Sequence, residues 1–290
     1  MHTRERVRAA FRIAAIFAFT GSLAAVAASE DAGLNEPQMY TYREIDGTPL
    51  HAYVFAPADR GKAEPANAIL LVHGGGWSAG SAEWTFDAAR QFAESGLVAI
   101  SIQYRLSEGD VTPIEALDDV CAAFRWAREN TGRLGITGCV LGYGVSAGGH
   151  LVALAATRGC SGGVGPDALL LWCPALDVAA DGWFQRKLNG RASSVTYSPV
   201  EYVSGSTPPT SIVHGAEDTL TPLSGARRFC DRLIEAGGIC ELNAYKGLGH
   251  LLTRNLENQE SEFDPDPNAR ADGIARHLAF LRILGLVPNE

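Results

Sequence analysis

Ser146 lies in Gly144-Val-Ser-Ala-Gly148, directly after the apolar segment Cys139-Val-Leu-Gly-Tyr143. A sharp turn from strand to helix at this point makes an ordinary serine a nucleophile. Backbone strain at the turn pushes the hydroxyl into the open and requires small neighbours on both sides. Gly144 and Gly148 meet that requirement, and Gly142, Ala147 and Gly149 add clearance. Such a serine attacks acyl carbons when three other groups attend it. One is a base to take its proton, another an acid to orient the base, and the last a set of donors for the oxyanion.

Each group has a candidate. Ala68-Ile-Leu-Leu-Val72 reads as a buried strand, and His73-Gly-Gly-Gly-Trp77 follows it. A triple glycine lets backbone N–H groups turn toward an incoming oxygen, so Gly75 and Gly76, with Ala147 after the serine, are the expected oxyanion donors. In Ser211-Ile-Val-His-Gly-Ala-Glu-Asp218 a short apolar strand runs into an acidic loop. Asp218 is the expected acid, because a carboxylate there can hold a histidine in its working tautomer, and Glu217 is its rival. Lys246-Gly-Leu-Gly-His250 follows the strand-like Cys240–Tyr245 and puts His250 beyond a strand end, where it can swing over the serine as general base. Of the seven histidines, only His250 and His277 follow both serine and acid, and only His250 lies in a strand-end loop. His73, His150 and His214 are expected to be structural, and His51 and His277 fall outside the strand-end loops.

These groups need a scaffold that brings strand ends to one edge. Apolar runs near 68–72, 97–102, 138–145, 168–173, 210–214 and 239–245 alternate with stretches expected to be helical near 82–95, 114–130, 147–158, 223–236 and 269–284. Ala168-Leu-Leu-Leu-Trp172 is apolar on both faces, as a buried parallel strand requires. The pattern predicts an α/β fold, a mostly parallel central sheet with helices on both faces. Residues 40–56 read as a leading antiparallel hairpin turning near Asp46-Gly47, residues 29–40 as polar and loose, and 59–66 as a solvated loop. Two stretches break the alternation. Residues 177–206, rich in Gly, Ser and aromatics, are a candidate cap, in which Trp183 and Phe184 either line a substrate pocket or fill a minor core. Trp77 and Trp84, beside the glycine loop, carry the same ambiguity. Residues 255–268 are polar and acidic. Asp118 and Asp119 are expected to cap or solvate a helix, and Asp177 to be a structural loop acid.

Taken together, His73-Gly-Gly-Gly-Trp77, Tyr104-Arg-Leu106, Gly144-Val-Ser-Ala-Gly-Gly-His150, Ser198-Pro199, Pro208-Pro209-Thr210 and His214-Gly-Ala-Glu-Asp218 resemble the α/β-hydrolase esterases. The similar branches are the hormone-sensitive-lipase-like and the bifunctional feruloyl/acetyl-xylan esterase-like groups, and the resemblance spans roughly residues 45–285. The chain order Ser146, Asp218, His250 is the α/β-hydrolase order. The resemblance implies a serine carboxylesterase with no metal or organic cofactor, acting on a small ester or a decorated polysaccharide. An arylformamidase, amidase or peptidase on the same triad is the alternative. Ser107-Glu108-Gly109 stands where the family has Ala-Pro-Glu, so the loop beside the pocket departs from the pattern and leaves acyl preference open.

Of the 290 residues, 24 are Lys or Arg and 33 Asp or Glu, a formal charge of −9. Residues 1–28 carry Arg4, Arg6, Arg8 and Arg12, then an apolar run from Ile13 to Ala28 ending in Ala25-Val-Ala27, the layout of a cleaved secretory signal peptide. An uncleaved membrane anchor is the alternative. Without that segment the chain has 20 basic and 32 acidic residues, a charge of −12. No basic cluster exists to bind nucleic acid or anionic membranes, and no other stretch is long and apolar enough to span a bilayer. The expected location is periplasmic or secreted, with residues 29–290 as a single domain. Six cysteines in an exported chain favour disulfides over metal ligation, and no zinc-like Cys/His spacing is present. A helix–strand hairpin would join Cys230 to Cys240. Cys139 with Cys160 is a weaker expectation, which leaves Cys121 and Cys173 as buried thiols.

Overall fold

The opening hairpin turns in two residues. β1 (Gln38–Ile45) and β2 (Thr48–Phe55) pair antiparallel up to Ile45 opposite Thr48. Asp46 (φ 49°) and Gly47 (φ 77°) are both left-handed, as a tight two-residue hairpin requires. The computed structural model describes residues 36–57, 66–160 and 165–288, all within one compact unit. The expected signal peptide (1–28), residues 29–35 and most of the 59–66 loop lie outside the described residues.

After the hairpin come β3 (Ala68–Val72), α1 (Phe86–Glu94), β4 (Val98–Ile102), α2 (Pro113–Glu129), α3 (Thr131–Leu134), β5 (Val140–Val145) and α4 (Ala147–Thr157). Then follow β6 (Leu169–Trp172), α5 (Gly182–Lys187), β7 (Thr210–Gly215), α6 (Leu223–Glu235), β8 (Cys240–Tyr245) and α7 (Pro267–Ile283). The strands form one sheet in the order β1-β2-β4-β3-β5-β6-β7-β8. β2 joins β4 antiparallel, and every pair from β4 to β8 is parallel. All the parallel strands therefore end on one edge, where an α/β sheet builds its crevice.

Strand alternation divides the core. Leu70, Val72, Leu169 and Leu171 face α2, α4 and α6, whereas Ile69, Leu71, Leu141 and Leu170 face α1 and α7. α2 begins where Thr112 and Glu115 form a reciprocal capping box ahead of Pro113. The stretch expected as one helix over 82–95 is a 3-10 turn, Ala82–Thr85, followed by α1. The Ala82 carbonyl accepts from the hydroxyls of Ser101 (2.7 Å) and Thr85 (3.0 Å) at this junction.

Two expectations are corrected. Cys230 and Cys240 are bonded across the α6–β8 hairpin, but Cys160 pairs with Cys121 rather than Cys139, with Cα atoms 5.6 Å apart. Cys121 projects from α2 toward the segment that follows α4, while Cys139, just before β5, stays a free thiol, as does the buried Cys173. Asp119 does not cap or solvate a helix. It is fully buried and accepts from Arg43 Nη1 (2.6 Å), Arg105 Nε (2.8 Å) and the Arg105 backbone (3.0 Å). Its neighbour Asp118 is exposed, as expected.

Candidate active site

Four strand ends deliver the site. Ser146 sits between β5 and α4 with φ 52° and ψ −116°. That is left-handed backbone for a non-glycine residue, the strain expected of a nucleophile turn. Its N–H is tied to the Trp172 carbonyl at 2.9 Å, and its own carbonyl accepts from His150 N at 3.1 Å. Gly148 is indispensable here. A Cβ on it would stand 2.2 Å from the Val72 carbonyl and 2.4 Å from that of His73, so α4 can start against β3 only with glycine at this point.

The loop beyond β8 places His250 Nε2 3.0 Å from Ser146 Oγ. His250 Nδ1 lies 2.7 Å from Asp218 Oδ2, in the loop beyond β7. Asp218 Oδ1 accepts from the N–H groups of Leu220 (2.9 Å) and Thr221 (2.8 Å), and Oδ2 accepts from Thr221 Oγ1 (2.8 Å). Burial alone would raise this carboxyl, but the hydrogen bond and charge of His250, with His214 and Thr221, hold it below the usual carboxylate range. An ionised acid, an oriented imidazole and a strained serine thus stand in line. The rival acid, Glu217, instead accepts from Gly247 N at 2.7 Å and braces the loop that carries His250.

Gln259 joins acid and base. Its Oε1 accepts from His250 N (2.8 Å) and Thr219 N (3.1 Å), and its Nε2 donates to the Glu217 carbonyl (3.0 Å). Neither Gln259 nor Thr221 carries a signal in the sequence. Both sit in polar loops, and only the folded chain aims them at the triad.

At the end of β3, Gly75 (φ 104°), Gly76 (φ 58°) and Trp77 (φ 60°) are successively left-handed. A Cβ on Gly75 would lie 2.1 Å from the Ala79 carbonyl. Among the described residues, the N–H groups of Gly75, Gly76 and Ala147 have no hydrogen-bond acceptor, so they remain available to an oxyanion. His73 stacks on Tyr104 with ring centroids 4.3 Å apart and donates from Nδ1 to the Gly74 carbonyl. Burial pushes it down to about 4. Asp119, by fixing Arg105, anchors the Tyr104-Arg-Leu106 segment behind this loop. His214 is buried against the Thr221 carbonyl (2.6 Å). All three histidines expected to be structural are packed within the protein.

The expected substrate-binding aromatics part company. Phe184 is fully buried and Trp77 nearly so, their ring centroids 4.8 Å apart. They are core residues and not pocket walls, because the buried faces of α4 and α5 close over them. Trp183 is 42% exposed, and its Cη2 lies 2.9 Å from where a Cβ on Gly76 would stand, so its indole roofs the glycine loop. Trp84 is exposed on the flank. Asp177 pairs with Arg228 (2.7 Å), a structural role as expected.

One grouping among the described residues has metal-binding donors. A thiol, carboxylate and imidazole from Cys173, Asp218 and His250 lie within 4.8 Å of one another. The carboxylate and imidazole are already bonded to each other, and burial pushes the Cys173 thiol up to about 12, so it stays protonated.

The family model of the alpha/beta hydrolase fold matches residues 69–191. Esterase LipC of Mycobacterium tuberculosis is 29% identical over 207 residues, 59% of this chain and 49% of the relative. Carboxylesterase NlhH of the same organism is 36% identical over 110 residues, 37% of this chain and 34% of the relative. The chain therefore spans half or less of the length of these curated relatives. Esterase 2 of Thermogutta terrifontis superposes with a TM-score of 0.77 at 25% identity, over 90% of this chain and 99% of that one. The chain has the α/β-hydrolase fold and is similar to these esterases.

Proposed function

We propose that the protein is a serine carboxylesterase that hydrolyses short-chain acyl esters through an acyl-enzyme, with Ser146, His250 and Asp218 as its triad. One observation carries the reading. A single imidazole contacts the serine hydroxyl at 3.0 Å and a buried carboxylate at 2.7 Å. His250 takes the Ser146 proton as Oγ bonds to the ester carbonyl carbon. The carbonyl oxygen, now negative, lies toward Gly75, Gly76 and Ala147 N–H. Collapse breaks the bond to the alcohol, which leaves with the proton from His250. Water then repeats the sequence on the acyl-enzyme, giving the acid and restoring Ser146.

Trp183 over the glycine loop favours a short acyl group, and one solved form of the Thermogutta terrifontis esterase carries bound butyrate at 25% identity. Export to the periplasm or beyond belongs to the same reading, on the basic-then-apolar segment 1–28 and the two disulfides. Among the described residues, no helix is long and apolar enough to cross a membrane. The test is hydrolysis of p-nitrophenyl esters from acetyl to long chains, beside methyl ferulate, acetylated xylan and an aryl formamide, with Ser146→Ala as blank. Turnover that peaks at short acyl chains and vanishes in the variant is expected. Formamide preference would replace the ester reading with the amidase one, and full turnover by Ser146→Ala would overturn the nucleophile.

A further inference from the structure

His150 lies one turn into α4, and its side chain is fully buried away from the reacting atoms. Both ring nitrogens are engaged. Trp77 Nε1 donates to His150 Nδ1 at 3.2 Å, and His150 Nε2 lies 2.7 Å from the Tyr197 carbonyl. A carbonyl can only accept and an indole N–H can only donate, so the ring must be neutral with its proton on Nε2. With both nitrogens occupied, this histidine cannot serve as a base for Ser146.

Its partner matters more than its own chemistry. Trp77 directly follows Gly76 and is itself left-handed, a conformation that a bulky residue holds only when its surroundings enforce it. Three contacts enforce it here: His150 on the indole N–H, Ser107 N on the Trp77 carbonyl at 2.7 Å, and Phe184 against the ring. The His150 backbone meanwhile donates to the Ser146 carbonyl at 3.1 Å. One residue thus touches the nucleophile turn through its backbone and the glycine loop through its ring. The two halves of the oxyanion hole, Ala147 N–H on one side and Gly75 and Gly76 N–H on the other, are referenced to each other through it.

We infer that His150 is a positioning residue for the oxyanion hole, acting through the indole of Trp77. The inference rests on the esterase reading above. Donors aimed at the transition state raise turnover and contribute little to ground-state binding, so mispositioning them lowers kcat and leaves KM in place.

The experiment compares His150→Phe, Trp77→Phe and His150→Gln on p-nitrophenyl acetate, with wild-type turnover and phosphonate labelling of Ser146 testing the esterase reading separately. Phenylalanine at 150 keeps the ring and loses both bonds. Phenylalanine at 77 loses only the donor. Glutamine at 150 can accept from Trp77 and donate to Tyr197. The expected result is a fall in kcat of about 10- to 100-fold for both phenylalanine variants, below the roughly 100- to 1000-fold loss of a whole donor. KM should stay within about twofold, His150→Gln should recover most of the rate, and the double variant should be no worse than the poorer single one. Binding of a trifluoromethyl ketone, which mimics the tetrahedral oxyanion, should weaken in step with kcat. Unchanged kcat in a folded Trp77→Phe, or losses confined to KM, would overturn the inference. So would an imidazole nitrogen NMR spectrum placing the His150 proton on Nδ1, a measurement that needs no turnover.

Discussion

Replacing Asp218 with asparagine separates holding the loop from holding the proton. Asp218 Oδ1 accepts the Leu220 and Thr221 N–H groups at 2.9 and 2.8 Å, and asparagine keeps that oxygen. The amide nitrogen then stands where Oδ2 accepts from His250 Nδ1 at 2.7 Å and Thr221 Oγ1 at 2.8 Å. An NH2 there can only donate, so Nδ1 must become the acceptor and the ring proton moves to Nε2. That proton then faces Ser146 Oγ, 3.0 Å away, and the ring can no longer take the serine's. The corresponding exchange in a serine protease triad costs about 10,000-fold in kcat, equivalent to roughly 5.5 kcal/mol of barrier. The fold should lose far less, about 1–2 kcal/mol, because one charged hydrogen-bond pair is weakened and none is emptied. The assay is p-nitrophenyl acetate hydrolysis beside thermal unfolding, with Glu217→Gln as control. Glu217 only braces Gly247, so that variant should keep most of its kcat. An Asp218→Asn protein that is folded and retains a tenth or more of its turnover would refute the assignment, as would equal damage from Glu217→Gln.

Three other outcomes follow from the geometry. Gly148→Ala puts a methyl within 2.2 Å of a backbone carbonyl that cannot step aside, so its urea midpoint should fall by more than about 3 kcal/mol of stability, and an unchanged midpoint would contradict the close approach. Burial pushes His73 and His150 down to about 4 and His277 to about 3. The unfolded chain binds these protons below about pH 6.5, so stability is full above that pH and falls toward pH 4, by roughly 3 kcal/mol per histidine. Urea titrations between pH 7 and 4 measure the slope. Loop-closure entropy predicts about 4 kcal/mol for the Cys121–Cys160 bond, which spans 39 residues, against about 3 for Cys230–Cys240, which spans 10. Paired Cys→Ser variants compared by denaturation should keep that order.

What the sequence made legible was local. The parallel sheet followed from apolar runs such as Ala168–Trp172, and the hairpin turn from Asp46-Gly47, because both depend on neighbours within a few residues. Cys230 and Cys240 face each other across one tight turn, so their spacing suffices. Cys121 meets Cys160 only because α2 packs beside α4, a fact of tertiary arrangement that leaves no mark on spacing. Asp119 looked like one more helix-surface carboxylate, since Arg43 and Arg105 arrive from β1 and from the segment after β4. Trp183 and Phe184 are adjacent aromatics of equal promise in the sequence. The start of α5 turns one toward the glycine loop and the other into the core. Gln259 was invisible for the same reason, being a polar residue in a polar loop.

That glutamine has a consequence for how the protein tolerates change. The polar loop after β8 reads as dispensable surface, the sort of segment in which insertions and deletions accumulate freely. Because one amide from it grips the backbone on both sides of the acid–base pair, length changes there would alter catalytic timing rather than surface solvation. Divergence or engineering in this loop should therefore be read first in kcat and only later in solubility.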